Sequence, residues 1–158
     1  MGSEMCIRDR AKTIPKFRES THHFNLGVLH FFQGEFDTAI KVFEAKMKYA
    51  NYFFSYDVKL YLLRSYYLTQ SVDNLEKTLA AFRQSIRRDK FLSKIERTSN
   101  NNTIKVFSKL QKIRERLKYE YRYDFKSDIK KLRKYIIDKP VNISKWLIEQ
   151  LDELDDNS

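Results

Sequence analysis

Three observations predict an all-α fold. Glycine and proline are scarce, with Gly 3 and Pro 2 among 158 residues. Apolar residues recur at steps of three and four over most of the chain, the period of a helix and not of a strand. The composition, 42% hydrophobic and 33% charged, is that of a globular chain able to bury a core, about the size of one domain. β-Sandwiches and barrels need many Gly- and Pro-bearing turns, and doubly wound α/β folds need glycine-rich phosphate loops, so both are disfavoured. The single cysteine, Cys6, excludes an internal disulfide framework and a cysteine zinc cage.

The elements follow in order. From Arg18 the dense apolar set Phe24, Leu26, Gly27, Leu29, Phe31 and Phe32 predicts a helix that Gly34 ends as a left-handed cap. Phe36, Ile40, Phe43 and Met47 step four, three, four along one face of a second helix, closing an αα-hairpin. Residues 56–69 are rich in Tyr and Leu with three charges, which predicts a buried helix. Ser71 or Asp73 caps the next, whose Leu75, Leu79, Phe82 and Ile86 again share a face. That helix runs out in cations, where the macrodipole favours them. Residues 99–102, Ser-Asn-Asn-Asn, either break the chain or lie inside a long helix of poor propensity. Phe107, Leu110, Ile113, Leu117 and Tyr121 mark another helix, and Phe125, Ile129, Leu132 and Ile136 the one that Pro140 ends. Asn142 is expected to cap a last helix carrying Ile143, Trp146, Leu147, Leu151 and Leu154. Trp146 should pack that helix onto Phe125, Ile129 and Leu132. About seven helices result.

Residues 1–10 have no helical, strand or signal-peptide pattern. They look like a translated sequencing-adapter read, which makes a non-native or disordered N-terminus the expectation and the chain a C-terminal fragment. No later segment reaches the roughly 18 uninterrupted apolar residues of a membrane span. The compartment is not readable, with a cytoplasmic location weakly favoured.

The informative motif lies in the first hairpin. His23-x2-Leu26-Gly27-x2-His30 is followed by Gly34, Phe36 and Ala39-x3-Phe43. This segment resembles a tetratricopeptide repeat, whose pattern is Trp-x2-Leu-Gly-x2-Tyr and then Ala-x3-Phe in a 34-residue helix-turn-helix. Each position has a physical reason. Gly27 and Ala39 let the two helices approach, Leu26 and Phe43 fill the space between them, and Gly34 permits the turn. His23 and His30 replace the usual Trp and Tyr, and Asn51 replaces the closing Pro. A degenerate second unit would use Ser65, Thr78 and Phe82, displaced by 38 or 39 residues from their counterparts. The resemblance thus covers residues 11–90 as about two repeats, with residues 91–158 as a basic C-terminal helical cap. It implies a right-handed superhelix of helix pairs, a non-catalytic scaffold, and a protein or peptide partner held in a groove lined by Phe24, Val28, Phe31 and Phe32.

The rival signal is charge. Of the net +10, residues 81–140 hold 19 Lys and Arg against 7 Asp and Glu, a local +12. The clusters are Arg87 and Arg88, then Arg114, Arg116 and Lys118, then Lys130, Lys131, Arg133 and Lys134, with Tyr119, Tyr121 and Tyr123 nearby. Such cations beside aromatics could follow a nucleic-acid backbone and stack its bases. The plainer expectation is a solvated lysine-rich face, with Glu115 to Lys118 and Asp128 to Lys131 as helical ion pairs. No recognised nucleic-acid motif is present.

Nothing indicates a cofactor, metal or enzyme. His22, His23 and His30 share a helix, but a metal needs a third ligand of suitable geometry, and His23 and His30 are read as aromatic substitutes in the repeat. The nucleophile-elbow, phosphate-loop and dinucleotide patterns are absent from the sequence.

Overall fold

Seven helices and no strand make up the described residues, 15–46 and 54–158 of a computed structural model. They are α1 (Pro15–Phe32), α2 (Phe36–Lys46), α3 (Ser55–Leu68), α4 (Val72–Arg88), α5 (Lys94–Tyr119), α6 (Phe125–Asp138) and α7 (Ser144–Asp156). Met47, Asn51 and residues 1–10, on which three expectations rest, lie outside the described residues. The chain divides into two compact units between Thr78 and Leu79, inside α4.

In the first unit α1 and α2 form the expected hairpin. Gly34 takes φ +78°, the left-handed conformation that glycine adopts without steric cost. Its N–H bonds Phe31 O, and the Glu35 N–H bonds His30 O, which together make a Schellman cap. The turn between α3 and α4 repeats this pattern 36 residues later: Gln70 takes φ 57°, its N–H bonds Tyr67 O, and the Ser71 N–H bonds Tyr66 O. Counted from these two turns, Leu63 and Leu75 stand at the positions that Gly27 and Ala39 hold in the first hairpin. Leu63, Ser65 and Leu75 are all fully buried.

α3 packs against both helices of the first hairpin. Tyr61 stacks on Phe43 at 5.4 Å between ring centroids and meets Phe31 edge-on at 5.2 Å. Arg64 is buried beside them, its guanidinium 4.0 Å from the Tyr61 ring centroid and 5.0 Å from that of Phe31. Burial pulls its pKa below the usual arginine value. Tyr66 donates its hydroxyl to Glu44 of α2, and burial together with that bond pushes its pKa up.

In the second unit the end of α4 buries Leu79, Phe82 and Ile86. Arg97 of α5 reaches back to the carbonyls of Ile86 and Asp89, capping orphan acceptors at that helix end. α5 begins with a capping box: the Glu96 N–H bonds Ser93 Oγ, and Glu96 Oε2 accepts from the Ser93 N–H. The polar stretch 99–102 lies inside α5, resolving the alternative left open by its composition. Asn100, Asn102 and Thr103 are buried there and bind the segment between α6 and α7. Asn102 donates to Pro140 O and accepts from the Tyr135 hydroxyl, each at 3.0 Å. Asn142 donates its side chain to Asn100 Oδ1 at 2.6 Å and its backbone N–H to Thr103 Oγ1 at 2.8 Å.

Two expectations change as a result. Asn142 does not cap α7; Ile143 stands at that position with φ 51° and gives no side-chain cap, because Asn142 is spent on α5. Tyr121 lies past the end of α5 and is fully exposed, so it marks no helix face. Trp146 also rests against Phe107 of α5, with centroids 5.8 Å apart, since α7 packs on α5 as well as on α6.

Candidate functional site

In the first hairpin the packing centres on Gly27 and Phe43. Gly27 is buried where a Cβ would stand 2.6 Å from the Phe43 ring. Ala39 and Phe43 are fully buried, and Leu26 and Phe36 half-buried. His30 is half-buried, with Nδ1 2.7 Å from Glu35 Oε2, and His23 Nε2 is 3.8 Å from Glu19. Among the described residues no three His, Cys, Asp or Glu side chains are placed to hold a metal ion. Ser65 and Phe82, assigned to one repeat, are both fully buried but lie in different units.

The predicted peptide groove is narrower than the sequence suggests. Phe31 is buried against Tyr61, Phe36 and Arg64. Phe24 is half-buried and stacks on Phe54 at 4.8 Å. Their rings are consumed by packing on α3. Val28 is half-buried, while Phe32 keeps 72% of its surface and its neighbour Leu29 52%.

The basic clusters are likewise sorted by their partners. Arg116 pairs with Glu120 at 3.0 Å and Asp128 at 3.5 Å; its bond to Glu120 raises its pKa. Arg133 of α6 pairs with Asp152 of α7 at 2.6 Å, and Lys134 with Asp138 at 2.9 Å. Arg114 donates to Gln111 Oε1. Lys118 sits 5.3 Å from the Tyr119 ring centroid. The expected pairs Glu115 to Lys118 and Asp128 to Lys131 are replaced: Glu115 accepts from Gln111, and Asp128 from Arg116 and Tyr123. Arg87, Arg88, Lys130 and Lys131 remain exposed at the surface.

A cleft of about 310 Å³ opens between α5 and α6. Lys109, Lys112, Ile113 and Arg116 line it from α5; Asp128, Lys131, Leu132 and Tyr135 line it from α6, with Tyr123 from the connection. Local sequence produces this alignment. Lys109, Lys112 and Arg116 step three and four along one helical face, as do Asp128, Lys131 and Tyr135. The Tyr123 ring lies 3.8 Å under the Arg116 guanidinium, and its hydroxyl donates to Asp128 Oδ2 at 2.6 Å. Burial and that bond push its pKa up to about 12. Lys109 Nζ lies 5.2 Å from the Tyr135 ring centroid.

The cleft combines predicted residues, Arg116 and Lys131, with others that the sequence reading missed. Lys109 and Lys112 could have been found from their helical spacing to Arg116. Tyr135 could not, because its place is set by Asn102 across the unit.

Compared with models of protein families, with curated proteins and with solved structures, the chain has no match. No helix among the described residues is long and apolar enough to cross a membrane.

Proposed function

We propose that the chain is a non-catalytic, tetratricopeptide-like scaffold that mediates protein–protein interaction through its first helical hairpin. The observation that carries this reading is the interlock of Gly27 with the Phe43 ring, completed by the left-handed turn at Gly34. A generic αα-hairpin does not need a glycine at that contact; a repeat whose helices approach closely does. The second Schellman turn at Gln70 adds support for a repeated unit. The surface left for a partner is centred on Val28 and Phe32, with Leu29 beside them.

The alternative, nucleic-acid binding along residues 81–140, is weakened by pairing. Arg116, Arg133 and Lys134 already have carboxylate partners, so a continuous cationic track is broken.

Selection of a displayed peptide library on the purified chain tests the proposal. Binding should be lost in Phe32→Ser and should change little with salt. Failure to select any peptide overturns it. So does a polyanion affinity that falls by roughly a thousandfold between about 50 and 200 mM salt, the mark of phosphate contacts.

A further inference from the structure

We infer that the cleft between α5 and α6 binds a compact organic anion: an apolar body ended by a phosphate or carboxylate. This site lies in the second unit and does not depend on the hairpin reading.

Size is the first reason. About 310 Å³ is at the lower end of small-molecule sites, enough for one ring-sized body and its head group. The lining is the second. Ile113, Leu132 and the rings of Tyr123 and Tyr135 offer apolar walls. Both tyrosine hydroxyls are engaged as donors, Tyr135 to Asn102 and Tyr123 to Asp128 Oδ2, and that same oxygen accepts from Arg116. Beyond Asp128, every charged group of the lining is a cation. Lys112 and Lys131 face the cleft from opposite helices, and neither has a carboxylate within salt-bridge distance among the described residues. An ammonium offers three donors and no acceptor, so the ligand must bring the acceptors and the negative charge.

The one acidic lining residue does not contradict this. Asp128 accepts from Tyr123 at 2.6 Å and pairs with Arg116 at 3.5 Å, and the cations of the same lining, Lys109, Lys112, Arg116 and Lys131, outnumber it. The same pairing favours a small anion over a nucleic-acid backbone. Arg116 and Lys134, which a chain of phosphates would need, already pair with Glu120 and Asp138.

The test is a heteronuclear NMR titration of the full chain with five probes: phenyl phosphate, phenylacetate, inorganic phosphate, benzyl alcohol and a short oligodeoxythymidylate. Phenyl phosphate or phenylacetate should give saturable shifts confined to the amides of Lys109, Lys112, Ile113, Lys131 and Leu132. Whichever of the two binds more tightly identifies the head group. Its affinity should exceed those of inorganic phosphate and benzyl alcohol by about tenfold or more. The double variant Lys112→Gln, Lys131→Gln, at two exposed positions, should weaken it by about tenfold while leaving the spectrum otherwise dispersed. Three results overturn the inference: no saturable shift with either aryl anion, equal binding of inorganic phosphate, or tighter binding of the oligonucleotide with shifts spread over Arg87, Arg88 and Lys130.

Discussion

The Phe43 ring occupies the space beside Gly27 that any larger side chain would need, with Cε1 only 2.6 Å from the place of a Cβ. Phe43 is held there by Tyr61, stacked 5.4 Å away, and by Phe24 at 6.2 Å, so it has little room to swing aside. Gly27→Leu should therefore lower the melting temperature of the first unit. Overpacking typically costs about 1–3 kcal/mol, and this exceeds the roughly 1 kcal/mol of helix propensity that replacing glycine returns. Thermal denaturation followed by circular dichroism checks it. An unchanged melting temperature would remove the principal support for the repeat reading.

The two hairpin turns make opposite predictions. Gly34 suits its left-handed φ, whereas Gln70 holds φ 57° at the expense of about 1 kcal/mol of steric conflict. Gln70→Gly should stabilise the chain by up to about 1 kcal/mol, and Gly34→Ala should destabilise it by a similar amount. Chemical denaturation of the two variants, each against the parent chain, reads both signs. Destabilisation by Gln70→Gly would show that the two turns are not equivalent.

Asn102 serves two buried partners at once, Pro140 O and the Tyr135 hydroxyl. Asn102→Leu leaves both without it and should cost about 2–3 kcal/mol, more than the loss of one ordinary hydrogen bond. Asn102→Asp keeps an acceptor for Tyr135 but loses the donor to Pro140. Equilibrium unfolding in urea should rank both variants well below the parent, and parity with it would make the network dispensable.

The capping box of α5 predicts a pH dependence. The bonds from Ser93 hold the Glu96 carboxyl below its ordinary value of 4.5. A lowered folded-state pKa means that the contribution is complete above the unfolded value and is lost as pH falls through the folded one. The stability gap between the parent and Glu96→Gln should therefore be constant near neutrality and shrink below about pH 4.5. Ser93→Ala should cost about 1 kcal/mol at neutral pH. Melts over a pH series decide the point: a gap independent of pH would mean that the carboxylate charge plays no part in the cap.

Much of the helical architecture was legible because its cause is local. Leu75, Leu79, Phe82 and Ile86 share a face by periodicity alone, and all four are buried. Gly34 and its φ +78° follow from the same kind of short-range rule. The Ser93-x-x-Glu96 box is equally local, its two partners three positions apart. The candidate cleft was only half legible. Arg116 and Lys131 stood out as charges, yet which cations are neutralised depends on Glu120, Asp128, Asp138 and Asp152, and Asp152 lies on another helix.

The residues by themselves determined that this chain is helical, where most of its helices lie, and that one hairpin carries a close-packing glycine. Those features arise from backbone sterics and from side chains three or four positions apart. Tertiary structure decided the rest. Asn102 meets Pro140 across 38 positions and Asn100 meets Asn142 across 42, so a stretch that reads as a polar break joins the N-terminal third of a 26-residue helix with Asn100 and Asn102 buried. The same long-range packing lays α6 beside α5 and turns a diffuse excess of positive charge into one bounded cleft.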